Sequence, residues 1–249
     1  MKKSHRYLLL IAAILLVGCN EENQLVLEPV QITNATCNDC PDISIAYPRV
    51  LEDTQLGNSL NSGIEEEIIS LLTFSDTLAV TSVEEAIRSF TNGYAELKKV
   101  YPKEAIDWEA QIEARVSFEN NKIISIQMDS YLFTGGAHGY ASTQFLNFDK
   151  IKGIEIDTEA FFKDLVEFRN YVEGKFRKQE KIPNDAPINS TGFMFEQDTF
   201  YLPENIGLTS KGMLLLYNQY EVASYADGQI ELLVPYAEAK NFLAKKITP

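Results

Sequence analysis

The sequence predicts an α+β fold in which antiparallel sheets carry helices packed on one side. The longer predicted helices fall in two blocks, at residues 56–99 and 165–179, whereas the stretches between and after them mostly alternate apolar and polar residues. Helices grouped apart from strands favour α+β over repeated β-α-β units. The length fits a small N-terminal α/β subdomain at 42–104 and a larger C-terminal α+β domain at 105–249.

The N-terminal subdomain is predicted to contain one strand and two helices. Residues 43–48 alternate in polarity, as a half-buried strand does. Residues 56–72 place apolar side chains at helical spacing. Ser82 followed by Glu85 forms a capping-box pattern, so a second helix is expected from there to about residue 99.

The C-terminal domain is predicted to begin with a β-hairpin. Residues 108–118 and 122–132 alternate on either side of Asn120-Asn121, which is a turn sequence. A third strand is expected at 143–148. The remaining expected elements are a turn at Lys152-Gly153, a short helix capped by Asp157 or Thr158, a helix at 165–179, strands near 200–202, 212–217 and 230–234, and a terminal helix at 237–246.

The N-terminus has the pattern of a secretory signal. Basic residues in 1–6 precede an uncharged apolar run that is too short to span a bilayer comfortably. Leu16-Val17-Gly18-Cys19 resembles the lipobox of bacterial lipoproteins, which predicts cleavage after residue 18 and a lipid anchor of acyl chains such as palmitate on Cys19. An ordinary signal peptide with a chance cysteine is the alternative.

Residues 19–41 are polar and irregular, which predicts a flexible tether between the lipid and the folded part. The expected location is the cell envelope, on the outer membrane and facing the periplasm or the cell surface. Removing residues 1–18 takes away three basic and no acidic residues, so the net charge changes from −14 to −17 (−14 − 3). Such an acidic protein repels nucleic acid and attracts cationic proteins.

Cys37 and Cys40 form a close pair. In an exported protein such a pair is first interpreted as a disulfide and next as two free thiols. A thioredoxin-like redox site would need a preceding strand and a following helix, and a zinc site would need a second ligand pair. The sequence offers neither.

The most unusual segment is Thr134–Tyr140, in which Gly135, Gly136 and Gly139 permit positive φ. It lacks the lysine and hydroxyl residue of a phosphate loop, and His138 has no neighbouring metal ligand and no nucleophile elbow. The sequence therefore predicts no catalytic residue, metal site or cofactor. A structural interpretation, in which the imidazole hydrogen-bonds to backbone at a corner between strands, stays open.

Several segments carry a family resemblance. The stretch Tyr-Leu-Phe-Thr-Gly-Gly-Ala-His-Gly at 131–139 resembles the signature of a bacterial domain of unknown function. That domain forms the extracellular part of the lysozyme-sensing anti-sigma factor RsiV and the non-catalytic region of the peptidoglycan deacetylase PdaC. Residues 147–149, 153–156, 161–164 and 217–228 agree with it, so the resemblance covers about 105–246. Residues 42–104 look like the smaller companion domain that precedes it.

The resemblance implies a sensing or binding module. We expect a non-enzymatic envelope lipoprotein that binds an extracytoplasmic ligand or protein, such as the cationic protein lysozyme. The alternatives are a peptidoglycan- or glycan-binding accessory protein and a hydrolase that uses His138. The candidate binding residues lie in the glycine-rich segment or among the later tyrosines, and they are Gly135, Gly136, His138, Tyr140, Tyr220 and Tyr225.

Overall fold

A six-stranded sheet and a three-stranded sheet, with helices beside them, form the fold of this protein. The structure, a computed structural model, describes residues 25–34, 39–74, 79–102 and 106–244. The predicted α+β class is confirmed.

The six-stranded sheet has its strands in chain order across the sheet. Its pairs are antiparallel except for the second and third strands, which run parallel. The strands are β1 (Leu27–Thr33), β2 (Asp42–Val50), β3 (Glu109–Glu119), β4 (Ile123–Phe133), β5 (Tyr140–Asp149) and β6 (Ile154–Glu155). Parallel neighbours need a crossover connection, and two helices between β2 and β3 supply it.

These two helices are α1 (Gln55–Leu72) and α2 (Val83–Val100). The Thr54 side chain accepts a hydrogen bond from the Gly57 N–H and caps α1, and Ser82 caps α2 by accepting from Glu85 N–H at 3.2 Å. Each helix buries the apolar residues of one stripe against the sheet. Trp108, at 2% exposure, packs among this core.

The chain after β6 builds a second hydrophobic core. It contains α3 (Leu165–Gln179), the three-stranded sheet of β7 (Ile206–Leu208), β8 (Gly212–Tyr217) and β9 (Ile230–Pro235), and α4 (Tyr236–Ala239). The helix α3 buries Phe168, Val172 and Phe176 on one face. Phe176 contacts the rings of Phe193, Phe195 and Phe200, and these contacts hold the long connection between α3 and β7 in place.

The structure differs from the predicted elements at three positions. Residues 27–33, inside the predicted tether, form β1, which pairs along its whole length with β2. No strand forms at 200–202, because Phe200 is buried among aromatic rings in irregular backbone, and β7 follows it instead. The helix α4 ends at Ala239 because the following chain pairs by backbone with residues 161–163.

The predicted domain boundary near residue 104 lies within one sheet. Strand β2, from the N-terminal part, pairs in parallel with β3, from the C-terminal part, over Asp42–Ala46 and Glu109–Glu113. The two predicted domains therefore share the six-stranded sheet and its core. Within the described ranges, no helix has both the length and the apolar composition needed to cross a bilayer.

Candidate binding site

The loop between β4 and β5 contains the glycine-rich segment. Gly135 and Gly136 both have a φ of +95°, and no atom lies within 4 Å of the position that a Cβ would take at either residue. Their requirement for glycine therefore comes from backbone conformation and not from crowding. Gly139, in contrast, is buried against the ring of Tyr131, so this end of the loop lies close to β4. His138 lies exposed between them.

A second segment, 218–229, follows β8. Tyr220 in this segment is 55% exposed and has a φ of +67°, a conformation that a bulky residue rarely adopts. Tyr225 begins a short 3-10 helix, and at its start the Asp227 carboxylate accepts hydrogen bonds from both the N–H and the hydroxyl of Ser224. The positive φ at Tyr220 makes this turn a candidate functional site, because unusual backbone conformations concentrate at such sites.

The two segments meet at the surface. The rings of His138 and Tyr225 stack with centroids 3.6 Å apart and planes 18° apart. The Tyr220 hydroxyl lies 3.3 Å from His138 Nε2, and the Tyr220 and Tyr225 rings are 5.7 Å apart. Tyr140 joins the group by donating a hydrogen bond to the Gln219 carbonyl at 3.4 Å. We call His138, Tyr140, Tyr220 and Tyr225 the aromatic platform.

All six residues that the sequence singles out therefore lie in or beside one surface cluster. Gly135 and Gly136 form the loop that carries His138, and the other four are the aromatic platform itself. Their role in binding stays a prediction.

Side-chain amides that the sequence analysis did not identify hold the 218–229 segment against β5. Asn218 accepts a hydrogen bond from the Thr143 N–H at 2.9 Å and donates to the Thr143 carbonyl at 3.1 Å. Gln219 accepts from the Ala141 N–H at 3.2 Å. These amides take the place of a neighbouring strand along the outer edge of β5, and an open edge would otherwise invite pairing with other chains.

Asn205 continues this pattern farther along the same edge of β5. Its Oδ1 accepts a hydrogen bond from the Phe145 N–H at 2.9 Å, and its Nδ2 donates one to the Thr143 carbonyl. Asn205 itself is 6% exposed. Nearby, Asn147 donates to the Ile206 carbonyl at 2.9 Å, and Gly207 lies directly against the Phe145 ring. The two sheets are thus joined by polar contacts between a strand edge and side chains, and the platform lies at one end of this junction.

The electrostatic environment of the platform is acidic. Burial raises the pKa of Glu221, with a smaller effect of the same sign from Glu204, while a hydrogen bond from Asn218 N–H at 2.9 Å opposes the shift. Burial and the Glu221 charge raise the pKa of the Tyr140 hydroxyl. Residues 134–140 and 218–229 together contain Glu221 and Asp227 and no lysine or arginine.

The contacts of His138 do not form a catalytic set. Nδ1 lies 3.0 Å from the Gly139 carbonyl and Nε2 lies beside the Tyr220 hydroxyl, so within the described chain its hydrogen-bond partners include neither a serine nor a carboxylate. The contact with the Gly139 carbonyl agrees with the structural interpretation of His138. Across the described residues, no group of three or more His, Cys, Asp and Glu side chains could hold a metal ion.

The predicted cysteine sites lie mostly outside the described residues. Cys19 and Cys37 are not among them. Cys40 is disulfide-bonded. The pairing of Cys40 with Cys37 remains a prediction.

Two family models match the chain. One, described as Deacetylase PdaC, matches residues 35–141, and the other, described as a protein of unknown function, DUF3298, matches residues 159–237. The boundary between them falls after the β4–β5 loop. The glycine-rich segment therefore belongs to the first match and the tyrosine-rich segment to the second, and the aromatic platform contains residues from both.

Solved structures give the same fold. A DUF3298 family member from Bacteroides fragilis is 21% identical with a TM-score of 0.68, covering 89% of this chain and 94% of its own. A DUF3298 family protein from Pseudomonas aeruginosa is 20% identical with a TM-score of 0.67, covering 92% of this chain and 98% of its own. A comparison with curated proteins found no match.

The shared sheet, the second aromatic core and the two matches define a two-part α+β fold. The two partial family matches and the shared fold together support a DUF3298/PdaC-like family for this chain. The segment similar to PdaC corresponds to the non-catalytic region of that deacetylase.

Proposed function

We propose that this protein is a non-enzymatic envelope lipoprotein that uses the aromatic platform to bind an extracytoplasmic cationic protein, such as a lysozyme. The observation that carries the proposal is the surface ring cluster of His138, Tyr220 and Tyr225, in which His138 and Tyr220 are exposed and Tyr225 is half-buried. Tyrosine rings offer a large contact area at low conformational entropy cost and retain a hydroxyl for hydrogen bonding, which is why they are enriched at interfaces.

Charge supports a cationic partner. The two segments that form the platform contribute two carboxylates and no basic side chain, and the chain as a whole has a net charge of −14. Complementary charge accelerates association and disfavours anionic partners, and its effect weakens as salt rises. A lysozyme is a suitable probe because it is cationic and meets bacterial envelopes from outside.

The test is a binding titration of the purified protein with hen lysozyme at two salt concentrations. Replacing Tyr220 with asparagine removes the ring while retaining a residue type that tolerates positive φ. If Tyr220 is a central contact, the Tyr220→Asn variant should bind about tenfold more weakly, which corresponds to about 1.4 kcal/mol. Binding of the unchanged protein should weaken at higher salt.

A matched control replaces an exposed apolar residue far from the platform. Ile151 is 72% exposed and lies after β5, at the opposite end of that strand from the glycine-rich loop. Ile151→Asn should bind lysozyme as the unchanged protein does. The proposal fails for this partner if lysozyme is not bound at low salt, and it fails for this surface if the two variants weaken binding equally.

A glycan of the cell wall is the second candidate ligand. The observation that favours it is the pair of accessible flat rings, His138 and Tyr220, whose faces can stack on the apolar face of a sugar ring. Co-sedimentation with purified peptidoglycan sacculi separates the two candidates. Retention by sacculi that disappears in Tyr220→Asn, without lysozyme binding, would favour the glycan.

The proposed anchor is the thiol of Cys19, which places the folded part in the cell envelope on the outer membrane. The motif Leu16-Val17-Gly18-Cys19 supports it. Metabolic labelling with radioactive palmitate should label the protein, and Cys19→Ala should abolish the label. An unlabelled wild-type protein would remove the anchor from the proposal.

A further inference from the structure

The end of the six-stranded sheet farthest from the aromatic platform has unusual surface residues. Four large aliphatic side chains are exposed there: Val26, Leu51, Ile151 and Ile154, at 56%, 56%, 72% and 43%. The register places all four at the same end of the sheet, with Val26 and Leu51 beside β1 and β2 and with Ile151 and Ile154 beside β5 and β6. Apolar side chains exposed at one end of a domain indicate an interaction surface.

The most exposed of these side chains lies in a rigid turn. Asp149 Oδ1 accepts hydrogen bonds from the N–H groups of Ile151 and Lys152, both at 2.9 Å. Gly153, with a φ of +66°, packs against the start of α1, and its carbonyl accepts a hydrogen bond from Ser59 Oγ at 2.7 Å. The turn therefore holds the Ile151 side chain in solvent although isoleucine gains by leaving water.

Three lysines lie in this turn or in the neighbouring β3–β4 turn: Lys122, Lys150 and Lys152. The Lys150 N–H donates to the Lys122 carbonyl at 2.7 Å, which brings the β3–β4 and β5–β6 turns side by side. The Lys150 ammonium pairs with Glu119 at 2.5 Å. Lys122 and Lys152 are exposed, and no salt bridge to either is found in the described part of the chain. An exposed isoleucine between lysines is a combination that suits the interface of an anionic bilayer.

The chain enters the fold at this same end. The described part starts at Leu25, directly before Val26 and β1. The six residue-to-residue steps from Cys19 to Leu25 can span at most about 21 Å when fully extended. A lipid on Cys19 would therefore keep this end of the sheet close to the bilayer. The eleven residues of β4 extend about 35 Å away from it toward the platform.

We infer that the β3–β4 and β5–β6 turns, with Ile151 at the tip, rest on the bilayer that holds the anchor, with Lys122 and Lys152 facing anionic lipid headgroups. This inference rests on the proposed anchor at Cys19. Contact at this end directs the aromatic platform away from the membrane, where an extracytoplasmic partner can reach it.

The experiment measures how deep two positions lie in the membrane. The lipidated full-length protein is reconstituted into vesicles of phosphatidylethanolamine and phosphatidylglycerol that contain brominated acyl chains, which quench nearby tryptophan. The single native tryptophan, Trp108, is buried and gives a constant background. Ile151→Trp places a reporter at the proposed contact, and Tyr220→Trp places one on the platform.

We expect brominated lipid to quench Ile151→Trp at least twofold more than Tyr220→Trp. Adding Lys122→Glu and Lys152→Glu to the Ile151→Trp protein should reduce that quenching at least twofold. Equal quenching at the two reporters, in protein shown by mass to carry lipid on Cys19, overturns this inference and leaves the anchor intact. Protein without that lipid overturns both.

Discussion

The amide of Asn205 gives the sharpest test of how the two sheets are joined. We predict that Asn205→Leu, which retains the approximate size of the side chain, destabilises the fold without abolishing it. Leucine can neither accept from the Phe145 N–H nor donate to the Thr143 carbonyl. Both residues are buried, at 5% and 6% exposure, so water cannot readily replace the lost partner.

The size of the stability loss depends on which polar groups lose a hydrogen-bond partner. The Thr143 carbonyl retains a hydrogen bond from Asn218 at 3.1 Å, so only one of its two contacts is lost, at about 0.5–1.5 kcal/mol. The Phe145 N–H is left buried and unsatisfied, at about 1–3 kcal/mol. The sum is about 1.5–4.5 kcal/mol, which is below the free energy of unfolding of about 5–15 kcal/mol that is usual for a protein domain.

Two measurements check this reasoning. Urea unfolding should show the loss of about 1.5–4.5 kcal/mol, and hydrogen exchange should show faster exchange of the Phe145 amide in the variant. Asn58→Leu is the control, because Asn58 is exposed and its side-chain amide donates to Asp53 on the surface, and it should change stability by less than 0.5 kcal/mol. A loss below 1 kcal/mol with Phe145 still slow to exchange would refute the role of Asn205.

Two further predictions concern the stability effects of substitutions, one at a pair of glycines and one at Glu67. Gly207→Ala would place a Cβ inside the Phe145 ring and should lower stability by at least 2 kcal/mol, about the scale of overpacking. Gly174→Ala, in open space on α3, should instead raise stability by up to about 1 kcal/mol. Thermal melts measure both changes. Burial and the Glu66 charge raise the pKa of Glu67, so the folded state binds its proton more readily and this group favours folding increasingly as pH falls. Glu67→Gln should therefore stabilise the protein by a few tenths of a kcal/mol at pH 7 and less so near pH 4.5, and an equal gain at both pH values would contradict this.

Local signals in the sequence predict much of the six-stranded sheet and its helices. The predicted hairpin forms as β3 and β4, with Asn120 Oδ1 accepting from the N–H groups of the turn. The predicted capping box at Ser82 forms in part. Ser82 caps Glu85 N–H, while the Glu85 carboxylate accepts from Thr81 N–H and not from Ser82. These features depend on residues within a few positions of each other, so a single sequence contains enough information to predict them.

The features that the sequence did not predict depend on distant partners. Strand β1 contains Pro29 and alternates only over residues 30–33, which is too short a signal to predict it, and its pairing with β2 extends it over Leu27–Thr33. Asn205 and Asn218 contact β5 over 60 to 75 residues of chain, and an asparagine in a loop looks the same in sequence whether or not it does so. The glycine-rich loop and Tyr225 are recognisable as unusual, but their stacking depends on this same long-range docking.

The packing of the 218–229 segment on β5 and the formation of the candidate site are therefore physically linked. His138 comes from the loop between β4 and β5, whereas Tyr220 and Tyr225 come from the segment that Asn218 and its neighbour Gln219 hold on the edge of β5. Neither segment forms the aromatic platform alone. A substitution that loosens the edge of β5, such as one at Asn218, should separate the stacked rings and weaken partner binding even though it leaves every platform residue unchanged.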